Sequence, residues 1–374
     1  MAVGRDSRPS TLDSRLLLSI AAALLAASAA AQEAQFFAAP SEKTRVVFRW
    51  DALARYDNID HLHFRTTIER LRLEVRPELD LELSDRFKIG VRAVGDLGTD
   101  HTEDNARNFD NYRSRGAAIE RYYVEAKPGQ FVVRAGAFGM PLVASEMLWD
   151  RDIQTPGAAV AWEVPTGAAS TLTIAGAGFY GPQREGDQTR IGVGQLVFRS
   201  GDPSRLAIEA AGSYWHFQPD DLKPVYFRQN YTEISGGQRV LVSRFHIVDA
   251  FARLRFSVGK VPVSVGVDGI VNLGVRDEAN HDKSAFEGTA SVGRLGNPGD
   301  WRVFYIFQYV ERDAVLGAYN TDDWWFHSWH RGSRVGLGYT ILPQVFVQTT
   351  VVFQKRLDLR TTLNRVVVDL VKMF

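Results

Sequence analysis

The sequence predicts an all-β fold: a single transmembrane antiparallel β-barrel of about sixteen strands, with eighteen possible, short periplasmic turns and long extracellular loops. Three observations predict it. Apolar and polar residues alternate with a period of two almost to the last residue, while helix-period segments are nearly absent. Short turns rich in Gly, Pro, Asn and Asp alternate with long polar connections. The chain also opens on an export leader and ends on an aromatic residue, Phe374.

The leader comes first. Arg5, Arg8 and Arg15 precede the apolar run Leu16–Ala31, which closes in "ASAAAQ". A basic start, a short apolar run and a small-residue site describe a cleaved signal peptide over 1–31. Residues 32–42 then form a short N-terminal segment and 43–374 the barrel, with the outer membrane as destination. The 374 residues carry no net charge and no cysteine. That balance excludes a basic nucleic-acid binder, and no disulfide stabilises the exported chain. Mean hydropathy is −0.17, too low for a helical membrane bundle.

The strands follow in order. "LRLEVRPELDLELS" (Leu71–Ser84) puts leucines and Val75 on one face and charged residues on the other. Asp85-Arg86 turns it into "FKIGVRAVGDL". Pro128-Gly129, Thr166-Gly167, Gly201-Asp202-Pro203, Gly259-Lys260, Asn297-Pro298-Gly299-Asp300 and Pro343-Gln344 mark the remaining tight turns. The long connections fall near 56–63, 99–115, 140–156, 181–188, 218–240, 274–282, 312–330 and 358–362. Backbone groups in a bilayer must all pair, so a chain of this pattern must close on itself. The apolar faces then meet outer-membrane lipid and the charged faces a wet lumen. Aromatics from Tyr122 to Tyr339, including Trp215 and Trp324, fall near strand ends and suit interface girdles.

Strand parity places Arg72, Arg76, Arg92, Arg121, Arg134, Arg253 and Arg255 on the inner wall, with Glu74, Glu78, Asp80 and Asp249. Opposed arginines and carboxylates give a transverse field across a pore. Arginine outnumbers lysine by roughly four to one, which suits charge pairing in a confined space. The third long connection, "GMPLVASEMLWDRDIQTPG", carries Glu146, Trp149, Asp150, Arg151 and Asp152 beside Met140, Leu142 and Met147. That composition suits a constriction folded into the barrel.

This segment also resembles a known family. "YVEAKPGQFVVRAGAFGMPLVASEMLWDR" (Tyr123–Arg151) looks like the strand, turn and "RxGxFxxP" stretch of phosphate-selective porins of the O/P type. Arg134, Gly136, Phe138, Pro141 and Glu146 match. The resemblance implies a sixteen-stranded pore whose third long loop narrows it, passing small solutes or ions, with anions such as phosphate in view. With one loop arginine between two aspartates and few lysines, this chain departs from that family's cationic pore, and a general or mixed-charge pore fits better.

Phe374 at the end of "RVVVDLVKMF" resembles the signal read by the barrel-assembly machinery, with Lys372 a departure from it. By analogy the assembly is a homotrimer. A transporter for one specific substrate, and a closed structural or adhesive barrel, are the alternatives. The sequence points to no enzyme, no cofactor and no metal: Walker, "HExxH" and phosphate-loop patterns are absent. His61 and His63 share a face, as loop decoration.

Overall fold

The computed structural model describes residues 44–61, 66–98, 116–181, 187–276 and 282–373. The signal peptide, the 32–42 segment, His63, the connection 99–115 and Phe374 lie outside the described residues.

Sixteen strands make one closed wall. In its first half are β1 (Arg45–His61), β2 (Thr66–Ser84), β3 (Phe87–Gly98), β4 (Gly116–Ala126), β5 (Phe131–Gly139), β6 (Gln154–Gly167), β7 (Ser170–Tyr180), β8 (Arg190–Asp202) and β9 (Leu206–Gln218). A small hairpin, β10 (Thr232–Ser235) and β11 (Gln238–Leu241), stands outside the wall. The wall resumes with β12 (Phe245–Val258), β13 (Val261–Asn272), β14 (Ser284–Gly293), β15 (Trp301–Val310), β16 (His330–Leu342), β17 (Val345–Arg356) and β18 (Leu363–Lys372). Each strand pairs antiparallel with its chain neighbours, β9 passes directly to β12, and β18 returns to β1. Closure leaves no edge strand with open hydrogen-bonding groups.

The wall has two solvents. On β2, Leu71, Leu73 and Leu79 are 46%, 38% and 45% exposed, whereas Glu74, Glu78 and Asp80 between them are buried. The exposed set is the lipid face and the buried set packs inside the barrel. Trp50, Trp162, Trp301 and Tyr339 sit outward near the tight-turn end, and Tyr56, Tyr180, Tyr214 and Tyr309 outward toward the long-loop end. These are the two girdles. Trp215 and Trp324 are not among them: both point inward and are fully buried. Their position near strand ends is shared with girdle residues, but the loops folded into the lumen give them a dry interior.

The connection expected at 56–63 begins later. Tyr56–His61 continues β1, in register with β2 throughout and with β18 as far as Asp60. Its polar residues read as loop, yet inward Asp57 accepts hydrogen bonds from Arg70 and Arg365, so a polar segment is satisfied inside the wall. With 17 and 19 residues, β1 and β2 are longer than the roughly 10 a membrane crossing needs. Proline interrupts β2. Its ladder to β3 lapses at Arg76 and Pro77, because proline has no N–H to offer. The neighbouring β4 bulges at Glu120.

Candidate functional site: a constriction inside the barrel

The third outer loop leaves the wall after Gly139 and returns at Gln154. Gly136 prepares its departure. Its φ is +120°, and an added Cβ would lie 2.2 Å from the Tyr122 carbonyl, so only glycine fits there. Phe138 packs edge-on against Phe179 of β7, with ring centroids 5.9 Å apart. The loop then crosses the lumen instead of rising above it. Val143 donates to the Gln195 side chain of β8 at 2.9 Å, and that amide donates back to the Val143 carbonyl at 2.7 Å. A turn follows in which Leu148 and Trp149 both donate to the Ser145 carbonyl. Glu146 reaches Arg334 of β16 at 2.5 Å.

The seat of this loop is a second loop, 311–329, which also folds inward. Asp150 donates its backbone N–H to the Tyr319 carbonyl at 2.7 Å, and Thr321 donates to the Glu146 carbonyl at 3.1 Å. Trp149 stacks on Tyr319 (5.6 Å, 9°) and on Trp215 of β9 (6.1 Å, 23°). Asn230, from the loop between β9 and β12, donates to the Arg312 and Val315 carbonyls and accepts from Gly317 N–H. Around these rings, Ala314, Val315, Leu316 and Ala318 pack against inward Ile191, Phe217, Phe245, Ile247 and Ile270. The outer part of the lumen is thus filled on one side by a dry plug. Burying the apolar wall there is worth about 25 cal/mol per Å² removed from water.

The opposite side stays charged. Asp57 takes Arg365 at 2.8 Å and Arg70 at 2.5 Å. Arg55 forks onto Asp369 at 2.8 and 3.1 Å, closing the β1–β18 seam. Arg76 reaches Asp51, Glu74 and, on the loop, Asp152. Arg121 and Arg49 share Glu78, Arg49 also holds Asp80, and Arg92 pairs with Glu120. On the third side, Glu209 of β9 is shared by Arg199 (2.8 Å), Arg253 (3.4 Å) and Arg255 (3.4 Å). One carboxylate among three guanidiniums leaves a positive surplus.

Two cavities flank the loop. One, of about 620 Å³, is lined by Arg49, Lys88, Arg121, Arg134, Arg151, Arg253 and Arg255, with Glu78 and Glu209 as its carboxylates. The other, of about 480 Å³, balances Arg55, Arg151, Arg253, Arg302 and Arg334 against Glu146, Asp150, Asp152, Glu287 and Asp323. Arg151 and Arg253 line both. Arg151 is exposed and makes no ion pair among the described residues. Its neighbours differ. Burial, with Asp152 beside it, pushes the Asp150 carboxyl well above the usual carboxylate range. Burial would raise Asp323 as well, but Arg334, Arg55 and Arg365 outweigh it and hold that carboxyl well below its ordinary value.

Residues 32–182 match a family model described as Putative porin, over less than half of the chain. The same barrel recurs in solved structures. The high-pH structure of Pseudomonas putida OprB is 11% identical, covers 87% of this chain and 93% of that one, and superposes with a TM-score of 0.58. The fold is a porin's. A loop L8 deletion mutant of OmpT, an outer-membrane protein of Vibrio cholerae, is 9% identical, covers 89% of this chain and 100% of that one, and gives a TM-score of 0.51. In-vitro folded OmpT in its trimer form gives the same values. No curated protein matches.

Within this porin fold the expected wall residues all take the inward parity, from Arg72 and Arg92, both buried, to half-exposed Arg255. They form separate groups. Arg72, Arg76, Arg92 and Arg121, with Glu74, Glu78 and Asp80, occupy the β2–β4 wall, and Arg134 pairs with Glu125 at 2.5 Å. Arg253 and Arg255 stand across the lumen. Asp249 accepts from Ser213 at 2.6 Å and belongs to no arginine pair among the described residues. The loop set divides likewise: Arg151 and Asp152 are exposed at the cavities, while Trp149 and Asp150, which also line them, are almost fully buried.

Sequence reasoning missed Arg49, Arg55 and Asp57 on β1, Arg365 and Asp369 on β18, and the whole inward loop 311–329. The alternation of β1 and β18 carried the first five. For the loop, the run "AVLGAY" (Ala314–Tyr319) inside a polar connection was the available signal.

Proposed function

We propose that this chain is a passive diffusion channel of the outer membrane for small hydrophilic solutes, with a preference for small anions. The single observation that carries the preference is the 620 Å³ cavity under the third loop, where seven cationic side chains face two carboxylates. A surplus of fixed positive charge in a narrow aqueous space concentrates anions and repels cations. Arg151 supplies a charge on the loop side of the constriction, and Arg253 and Arg255 supply it on the wall. In this role Glu146 anchors the loop through Arg334, and Asp152 pins it to Arg76. Phosphate is one such anion and inorganic phosphate the natural probe, in line with the motif from Arg134 to Glu146.

The plug formed by the inward loops favours a second reading, a narrow route for one substrate class, whose mark is a small conductance. Export through a signal peptide cleaved after Ala31, insertion by the barrel-assembly machinery reading Phe374, and a homotrimer like the trimer form of OmpT complete the proposal.

The test is single-channel recording in a planar bilayer under a salt gradient. The expected reversal potential shows chloride permeating ahead of potassium, and added phosphate lowers the chloride current. A folded barrel that never conducts overturns the channel reading, and a cation-selective reversal potential overturns the preference.

A further inference from the structure

A second convergence of polar side chains lies on the outer face of the wall, away from the pore. β9 and β12 are neighbours in the wall, although the loop 219–244 separates them in the chain. Near the long-loop end, Trp215 and Phe217 of β9 and Phe245 and Ile247 of β12 point inward and are buried. The residues between them, Tyr214 and His216 on β9 and His246 on β12, therefore point outward. His216 and His246 are direct cross-strand partners, and Tyr214 stands diagonal to His246.

Three atoms able to ligate a metal meet here. His216 Nδ1 and His246 Nδ1 are 3.3 Å apart, and Tyr214 Oη is 2.8 Å from His246 Nδ1. Each nitrogen of a neutral imidazole offers one N–H or one lone pair. His246 Nδ1 thus has two neighbours within reach and one position with which to serve them. A proton leaves one of those contacts poorly satisfied, whereas a metal ion takes all three lone pairs at a single point. The spacing fits: two nitrogens about 2.0–2.1 Å from a tetrahedral zinc lie about 3.3 Å apart.

The His246 ring is held in place for this. Its backbone N–H donates to Asn272 Oδ1 at 3.0 Å, and its carbonyl accepts from Leu273 N–H at 2.7 Å. Gly274 lies against the Cδ2 side of the ring, where an added Cβ would be 2.8 Å away. The ring is therefore backed on the edge away from Nδ1. On the other flank His216 pairs with Gly192 of β8, where an added Cβ would meet nothing within 4 Å. That side is open for water to complete a coordination shell. A cavity of about 1000 Å³ under the loop 219–244 is lined by both histidines and gives the way in.

We propose that His216, His246 and Tyr214 bind one first-row transition-metal dication, Zn²⁺ or Cu²⁺, at the root of the loop 219–244. Among the described residues no three His, Cys, Asp or Glu side chains are placed to hold a metal; here the third ligand is a phenol oxygen. The cavity wall also carries Arg239 and Arg244 against Asp221. That field repels a hard cation held by charge alone, so Mg²⁺ and Ca²⁺ are excluded and affinity comes from the imidazoles. The site is independent of conduction and of the anion preference.

The full chain, without a histidine tag, is stripped of metal by a chelator, freed of it, and titrated in detergent micelles with Zn²⁺ by calorimetry. One Zn²⁺ per chain is expected, undisturbed by excess Mg²⁺. His216→Ala and His246→Ala should each lower the affinity by about tenfold or more, and His61→Ala should leave it unchanged. With Cu²⁺, electron paramagnetic resonance should show two imidazole nitrogens in the native chain and one in either variant. Folding of each is checked by heat-modifiable gel mobility. A second readout needs no variant: Zn²⁺ should protect His216 and His246 of the native barrel from diethyl pyrocarbonate. Stoichiometric binding that survives the double variant His216→Ala, His246→Ala overturns the inference. So does a native chain in which Zn²⁺ neither binds nor protects the pair, and the trio is then a hydrogen-bonded contact only. A barrel that holds the metal and never conducts removes the channel and leaves this site.

Discussion

Arg151 and Asp150 are adjacent, yet the barrel treats them oppositely. Arg151 is exposed and lines both cavities, whereas Asp150 lines only the smaller one and is buried, with its N–H on Tyr319. Arg151→Glu exchanges a charge that lines both cavities, so the chloride-to-potassium permeability ratio should fall by about threefold or more, read from the reversal potential. Asp150 gives a pH effect. Its folded pKa is raised, so its stabilisation of the loop is complete below the usual carboxylate range and is lost as pH rises through the raised value. Asp150→Asn should leave the loop seated at alkaline pH, where the native channel becomes noisier; equal noise in both proteins counts against this. Part of the contrast was legible. Parity and loop composition pointed to Glu146–Asp152 as a set, but which members face water depends on Tyr319, about 170 residues away in the chain, and no local pattern encodes it.

The constriction is a pair of elements. The third loop has two short turns of its own and draws its position from the loop 311–329 and from Gln195 and Arg334 of the wall. Trp149→Ala removes a ring stacked on both Tyr319 and Trp215 and leaves a cavity, a change that costs about 3–5 kcal/mol in well-packed sites. The barrel should still form, and single-channel conductance should rise with the loop unseated; unchanged conductance would show that the loop is held elsewhere. The strands were the more legible elements because a period of two and short turns specify them locally. The stretch Tyr56–His61 reads as a loop because Asp57, Asn58 and Asp60 carry loop chemistry, and partners on β2 and β18 account for the first two. Arg365 stands 308 residues away from the Asp57 it satisfies.

At the scale of the whole molecule, closure and the proposed anion preference both rest on charge inside a narrow space. The β1–β18 seam is held by Arg55–Asp369 and by Asp57 between Arg70 and Arg365. Asp57→Asn leaves two buried guanidiniums without their carboxylate, which should cost about 3–5 kcal/mol and lower the temperature of heat-modified gel migration. Conservation of that temperature would place the strength of the seam in its backbone ladder alone. The anion preference should fade as salt rises, because the screening length shrinks from about 10 Å at 0.1 M to about 3 Å at 1 M. A preference constant across that range would point to direct ligation instead of a field. The closed topology could be read from the even alternation of turns and loops. The asymmetric filling of the lumen could not, because it depends on which side the loops fold toward.

The seating of the third loop also sets an order of events. Tyr319, Thr321 and Arg334, which receive it, belong to the last part of the chain to be made, and Glu146 finds its arginine across a separation of 188 residues. The narrowing therefore cannot mature until β16 is in place, and a barrel not yet built that far lacks it. During refolding, the Trp149 fluorescence change should trail the far-ultraviolet signal of strand formation. The proposed anion preference is then set only after most of the wall has formed.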